Sequence, residues 1–158
     1  MAIVPTPEML SGLMARALDE ARAALAHDDV PIGAVVARLS DGAIVASAHN
    51  EREQRGDPTA HAEVLALQAA SRAVGGWRLG GHALVSTIEP CPMCAGAAWA
   101  ARVDLLVFGA ADPRAGAAGT LYNLAADPRL NHEIPVVPGV RGDECAALVE
   151  RFFAERRA

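Results

Sequence analysis

The chain contains no lysine, and all 14 of its basic residues are arginine. Without an amine side chain it cannot form a Schiff base with a substrate or with pyridoxal phosphate, and it offers no P-loop lysine to a nucleotide. Aromatic residues make up only 4% of the sequence, whereas hydrophobic residues make up 52%. We therefore expect a folded chain whose core is built mainly from alanine, valine and leucine.

Long apolar segments are also missing. No uncharged apolar run approaches the roughly 18 residues of a membrane helix, and residues 1–8 lack a basic region followed by an apolar stretch. The expectation is a cytoplasmic protein that does not associate with a membrane. Three cysteines, an odd number, without an export signal argue against a disulfide framework.

The charge of the chain is uneven. The net charge is -5, which provides no overall attraction to nucleic acid. Residues 1–63 contain 10 acids and 5 arginines, whereas residues 64–158 contain 9 acids and 9 arginines. A basic surface is therefore expected only locally, toward the C-terminal half.

The hydrophobic pattern predicts an α/β fold with three α/β/α layers around a central mixed five-stranded sheet. At 158 residues the chain has the size of one domain, and no repeat or linker divides it. A helix is expected to begin at Pro7 after the cap Thr6, and Asp41-Gly42 is typical of a hairpin turn. The predicted strands are 32–38, 43–48, 83–87, 103–108 and 135–140, and the last helix is 143–157.

Two further helices are expected to begin at prolines. Asp57 is the predicted cap and Pro58 the first residue of a helix that ends at Gly75-Gly76. Pro90 is predicted to open another helix, which stops near Arg102. Residues 121–126 allow a short helical piece within a long loop.

Two short motifs carry the chemistry: H-A-E at 61–63 and P-C-P-M-C at 90–94. Zinc binds imidazole nitrogen and thiolate sulfur, and a catalytic site keeps a fourth position for water. The combination H-x-E followed by P-C-x-x-C is the signature of zinc nucleobase deaminases. We expect His61, Cys91 and Cys94 to hold one Zn²⁺ per subunit, with water or hydroxide as the fourth ligand.

Glu63 has a different expected role. Residues two apart do not share a face of a regular helix, so Glu63 and His61 should not both be ligands. We expect Glu63 to face the water on the zinc and to move its proton, as a catalytic general acid and base.

Other interpretations of the motifs stay open. A C-x-x-C pair also occurs in redox proteins, and a structural zinc site would need a fourth protein ligand. Cys145 is the spare cysteine, but it lies on the apolar stripe of the last predicted helix, where we interpret it as buried packing. The alternative of another class is therefore a non-catalytic zinc or redox module.

Beyond these motifs the sequence resembles the bacterial tRNA-specific adenosine deaminases, from about Met14 to Arg157. The zinc motif is shared with cytidine, cytosine and guanine deaminases, whereas Gly116–Gly119 and Asn131-His132 are similar to the tRNA enzymes specifically. The matching blocks are Val30–Val35, Asn50, Asp57–Glu63, Glu89–Ala97, Val107–Ala110, Gly116–Gly119, Asn131-His132 and Asp143–Leu148.

The resemblance implies a homodimer of cytidine deaminase-like subunits that converts the wobble adenosine in the anticodon of an arginine tRNA to inosine. It implies zinc ligands at His61, Cys91 and Cys94 and the proton shuttle at Glu63. The substrate-binding residues implied are Asn50, Ala62, Asp112, His132, Phe153 and Arg156. Arg114, Arg129, Arg156 and Arg157 are candidates for contacts with the tRNA phosphates, and the alternative for them is a solvated face balanced by Glu150 and Glu155. Deamination of a free base such as guanine or cytosine is the nearest alternative, since Pro92 is also common in guanine deaminases.

Overall fold

The computed structural model describes residues 4–157, which are built around one mixed sheet with the strand order β2-β1-β3-β4-β5. β1 (Gly33–Arg38) runs antiparallel to both β2 (Ile44–His49) and β3 (His82–Ile88). β3, β4 (Leu105–Ala110) and β5 (Val136–Val137) are parallel to one another. The predicted central mixed five-stranded sheet is therefore confirmed.

Helices cover both faces of the sheet. α1 (Pro7–Ala23) and α5 (Gly142–Arg157) lie on one face, and α3 (Ala62–Val74) and α4 (Pro92–Ala101) lie on the other. α2 (Arg52–Arg55) is a single turn that the sequence analysis did not predict. The three α/β/α layers are confirmed, and within residues 4–157 no helix is long and apolar enough to cross a bilayer.

Alternation along the strands divides the core in two. Val35, Val85 and Val107 face α1 and α5, while Val36 and Leu106 face α3 and α4. Successive side chains of a strand point to opposite faces, so central strands with helices on both sides are apolar throughout.

The start of α1 agrees with the prediction. Thr6 is the N-cap, its hydroxyl accepts the backbone N–H of Met9 at 3.1 Å, and Pro7 is the first helical residue. Cys145 is buried on the inner face of α5, as expected, and burial raises the pKa of its thiol to about 11. This cysteine packs in the core, with its thiol protonated.

The predicted starts of the two helices next to the zinc motifs are wrong. Asp57 does not cap a helix; its Oδ1 accepts the backbone N–H of Thr59 at 2.8 Å and closes a local turn. α3 begins at Ala62, with His61 as the extended residue before it at φ -76 and ψ 146. α4 begins at Pro92, and Cys91 is in the equivalent position. His61 and Cys91 therefore precede the first turn instead of lying within it.

Two smaller expectations also need correction. Residues 121–126 form turns around an isolated bridge between Ala118 and Asn123, and no helix forms there. The last strand spans Val136–Val137 instead of 135–140. Both segments cross the surface, where periodicity gives a weak signal because few of their side chains enter the core.

Candidate active site

His61, Cys91 and Cys94 meet where α3 and α4 begin. Nδ1 of His61 lies 3.6 Å from Sγ of Cys91 and 3.4 Å from Sγ of Cys94. The three donor atoms all lie within 4.8 Å of one another. One imidazole nitrogen and two sulfurs at this spacing form a donor set that zinc prefers, and three protein ligands leave a position for a further one.

The helix start explains how the two cysteines converge. Cys91 is the N-cap of α4 and Cys94 is the third helical residue, and side chains at these two positions face each other across the first turn. The hydrogen bond between the two sulfurs, followed by the one to His61, lowers the pKa of the Cys91 thiol to about 4. The Cys91 thiolate, which is the form that binds metal, is therefore favoured at neutral pH, whereas the hydrogen bond to Cys91 and burial raise the pKa of the Cys94 thiol.

Glu63 lies beside this cluster in the first turn of α3 and is only 3% exposed. Burial raises the pKa of its carboxyl. Glu63 lines the same cavity as His61 and Cys91. The His61 imidazole faces the two sulfurs, and the Glu63 carboxyl lines the space next to them. The role of Glu63 in moving protons stays a prediction.

The cavity has a volume of about 610 Å³. Its wall includes Asn50 and Arg52 from the segment after β2, Asp112 and Arg114 from the loop after β4, and Phe153 of α5. This is enough space for a nucleobase with part of its sugar, since small-molecule sites are typically about 300–1,000 Å³.

Three of the six expected substrate-binding residues, Asn50, Asp112 and Phe153, line the cavity. Ala62 is fully buried, and its backbone N–H donates to Oδ1 of Asn50 at 3.3 Å, which orients the Asn50 amide. A role in substrate binding stays a prediction for these residues.

His132 and Arg156 lie outside the cavity wall. The His132 ring stacks on Trp99, with ring centroids 5.1 Å apart, and its Nε2 is 3.0 Å from the Trp99 carbonyl oxygen. Arg156 forms an ion pair with Asp28 and lies over the Phe152 ring. The structure does not bring these two side chains to the zinc ligands, and their role in RNA binding also stays a prediction.

The sequence analysis gave no role to Glu89, which organises one wall of the cavity. This carboxylate is 1% exposed and accepts the backbone N–H groups of Asp112, Ala118 and Thr120 at 3.0–3.1 Å. Burial alone would raise the pKa of Glu89, but these bonds and the Thr120 hydroxyl hold it below the usual value. A Cβ added at Gly116 would lie 2.5 Å from the carboxylate. The sequence did contain a signal for Glu89, because it is an acidic residue between a predicted buried strand and the P-C-x-x-C motif.

The four arginines expected near phosphates divide into two pairs. Arg114 and Arg157 line the cavity. Arg129 is bound by Asp127, at 2.6 and 2.9 Å, and Arg156 by Asp28. Arg52 lines the cavity without having been predicted to do so.

Comparison with known proteins identifies the family. Residues 7–110 match the zinc-binding region of cytidine and deoxycytidylate deaminases. The chain belongs to this family of zinc-binding deaminases. A curated relative, the tRNA-specific adenosine deaminase of Bacillus subtilis (strain 168), is 48% identical over 144 residues, which are 91% of this chain and 88% of the relative. The resemblance inferred from the motifs is therefore confirmed. The prediction of a hydrolytic deaminase is also confirmed, against the alternative of a redox module.

Solved structures of several kinds of deaminase resemble this chain. A tRNA:A34 deaminase that performs A-to-I editing at the wobble position has a TM-score of 0.82 and 39% identity, covering 87% of this chain and 99% of that one. The guanine deaminase of Nitrosomonas europaea has a TM-score of 0.78 and 27% identity, covering 97% and 87%. The cytidine deaminase-like fold is thus confirmed.

Proposed function

We propose that this deaminase converts the wobble adenosine of a tRNA anticodon to inosine by zinc-dependent hydrolysis. The observation that most supports this proposal is the His61–Cys91–Cys94 cluster, which lies beside the buried Glu63 at a cavity large enough for a nucleobase. Similarity along most of the chain to proteins named tRNA-specific adenosine deaminase supports the choice of substrate. An arginine tRNA, a homodimer and a cytoplasmic location are the finer parts of the proposal.

His61, Cys91 and Cys94 would hold one zinc ion per subunit. When bound, zinc acidifies water and so supplies a nucleophile at neutral pH. Both sulfurs belong to the rigid start of α4, and the imidazole belongs to the residue before α3, so the donors are held by the two helices and need little rearrangement.

Glu63 moves the protons of the reaction. Water adds its oxygen to C6 of adenine while its proton passes to the Glu63 carboxylate, which delivers it to ring nitrogen N1. Glu63 then takes the second proton and gives it to the exocyclic amino group, the C6–N bond breaks, and ammonia leaves. Adenosine and water thus yield inosine and ammonia, and the carboxylate is restored.

An anticodon loop suits this cavity for a physical reason. The reacting base must leave its stack to reach the buried carboxyl, and loop bases are already unstacked, so extrusion costs little. Asn50 accepts a hydrogen bond from the Ala62 N–H, and in this proposal the oriented amide binds the target nucleotide. Arg52, Arg114 and Arg157 line the same cavity, and in this proposal they bind loop phosphates.

A free-base deaminase is the second candidate. The likeness to guanine deaminase and Pro92 between the cysteines favour it, and guanine is small enough for the cavity. Guanine carries its amino group on C2, however, so the two substrates would place different ring edges against Glu63.

The test compares three substrates under one condition: an anticodon stem-loop with adenosine at the wobble position, the same stem-loop with that adenosine moved by one nucleotide, and free guanine. We expect inosine only in the first RNA. If ammonia is released from guanine while both RNAs stay intact, the protein is a free-base deaminase and the proposal is wrong.

Zinc content tests the metal part separately. Cys91→Ser should lose the zinc that the purified protein carries at about one ion per chain, and with it the activity. Cys145→Ser is the matched control, because it removes a buried thiol away from the cluster, and it should keep both.

A further inference from the structure

Two histidines outside the active site form a close pair at the edge of the sheet. His27 ends the 3-10 turn after α1, and His49 ends the edge strand β2. Their Nε2 atoms lie 3.2 Å apart, with ring centroids 5.1 Å apart. Each side chain is 20% exposed, so the pair is accessible to small ions.

A carboxylate binds the outer nitrogen of each ring. His27 Nδ1 lies 3.0 Å from Oδ2 of Asp29, and His49 Nδ1 lies 2.8 Å from Oε2 of Glu20. Asp29 is ionised, because the N–H groups of Glu53 and Gln54 and the His27 ring hold its pKa below the usual value in spite of burial. A carboxylate can only accept, so both Nδ1 atoms carry hydrogens and donate.

The two inner nitrogens, the Nε2 atoms of His27 and His49, face each other. If both Nδ1 atoms are protonated, a neutral imidazole has a lone pair on Nε2, so two lone pairs point at each other across 3.2 Å. The arrangement therefore requires a positive centre between the rings, which is either a proton or a metal ion. Two imidazoles on one tetrahedral zinc, with bonds of about 2.0–2.1 Å, would have nitrogens roughly 3.3 Å apart.

The surrounding charges favour a cation of higher charge than a proton. Oε1 of Glu51 lies 3.7 Å from His49 Nε2, while its other oxygen pairs with Arg55. Together with Glu20 and Asp29, three carboxylates face the pair against this one arginine. The neighbouring Asp28 is paired with Arg156. A histidine whose outer nitrogen donates to a carboxylate is the common arrangement of a metal ligand, since this fixes the ring and its tautomer.

We propose that the two imidazoles of His27 and His49 form a second site for a divalent transition-metal ion, separate from the cluster at His61. The site lies next to the cavity in sequence, because Asn50 stands between His49 and Glu51 and lines that cavity. Occupancy therefore restrains the segment that carries Asn50.

The experiment uses tag-free protein already loaded with about one zinc per chain and titrates it with NiCl₂ by calorimetry, with zinc and nickel counted afterwards. We expect one nickel per chain to bind while the zinc is retained. His27→Gln and His49→Gln should each weaken nickel binding at least tenfold. His82→Gln is the matched control, because His82 bonds to the Gly80 carbonyl away from the pair, and it should bind nickel as the parent does.

Glu20→Gln provides a variant that keeps both imidazoles and loses only one orienting carboxylate, so it should weaken binding without removing a ligand. Failure of the parent protein to bind nickel in addition to its zinc would overturn the proposal and leave a shared proton between the rings. Nickel binding of equal strength in the parent and both histidine variants would overturn it as well.

Discussion

At the scale of single residues, position relative to a helix start determines each role in the active site. His61 and Cys91 both occupy the extended position just before a helix, and Cys94 and Glu63 lie within the first turns that follow. N-terminal N–H groups favour negative charge, which helps to hold a thiolate at Cys91. The same geometry directs His61 of the first motif and both cysteines of the second to the ligand cluster, and the Glu63 carboxyl to the cavity.

The role of Glu63 can be tested with the isosteric change Glu63→Gln. The amide cannot carry protons between water and base, so we expect kcat to fall at least 100-fold, as is usual for loss of a general acid–base group. Zinc content should stay at about one per chain, because Glu63 is not among the ligand cluster. Glu155→Gln, an exposed change on α5, is the control and should leave kcat unchanged.

The identity of the donors was predictable from sequence, but their exact setting was not. Residue types and spacing are local information, and H-x-E with P-C-x-x-C admits few chemistries. The prediction that His61 lies inside a helix was wrong because Asp57 satisfies a turn N–H at Thr59 instead of a helix N–H. An Asp-Pro pair is compatible with both a helix N-cap and a local turn, and the sequence does not show which backbone N–H will lie close to the Asp57 carboxylate.

At the scale of elements, contact between α1 and β1 depends on a missing side chain. Gly33 begins β1, and a Cβ placed there would lie 2.0 Å from the Ala17 carbonyl oxygen and 2.5 Å from the Ala21 nitrogen. Both atoms are backbone of α1 and cannot rotate away. The helix can therefore lie this close to the strand only because residue 33 is glycine.

Gly33→Ala should lower the free energy of unfolding by about 1–3 kcal/mol or more, because α1 must move off the sheet. Gly12→Ala is the matched control within α1, where a new Cβ meets nothing within 4 Å. It should raise the stability by about 0.5–1 kcal/mol through helix propensity. Urea unfolding of both variants measures the contrast, and equal effects would contradict the close approach.

The loop after β4 depends on Glu89 in a comparable way. Glu89→Gln replaces a carboxylate by an amide with one acceptor oxygen, so N–H groups of Asp112, Ala118 or Thr120 lose their partner. We expect a loss of about 1–3 kcal/mol at pH 7. The folded pKa of Glu89 is lowered, so this stabilisation is present above its unfolded value of 4.5 and is lost as pH falls through the folded pKa.

The difference in the free energy of unfolding between the parent and Glu89→Gln, measured by urea unfolding, should therefore become smaller as the pH is lowered from 7 to 3. Glu133→Gln, an exposed change, should give no gap at either pH. A gap that stays constant down to pH 3 would show that the Glu89 charge is not what holds the loop.

At the scale of the whole molecule, the proposed function requires an acidic protein to bind an anionic RNA. The net charge of -5 repels it at long range. Arg52, Arg114 and Arg157 line the cavity, whereas Arg129 is already bound to Asp127. The sequence predicted a local basic surface toward the C-terminal half, but it could not tell paired arginines from those at the cavity, since pairing depends on the folded loops.

Salt dependence of RNA binding distinguishes the two kinds of arginine. Each phosphate contact to a single-stranded segment contributes about 0.7 to the slope of log K against log salt concentration, because a counterion is released. Arg114→Gln and Arg157→Gln should each reduce this slope by about that amount, and Arg129→Gln should leave it unchanged. Anisotropy titrations of a labelled anticodon stem-loop, made in the Glu63→Gln background to prevent turnover, give the slopes. If Arg129→Gln changes the slope and the cavity arginines do not, the RNA approaches by another face, and the cavity opening is not the route of the anticodon loop.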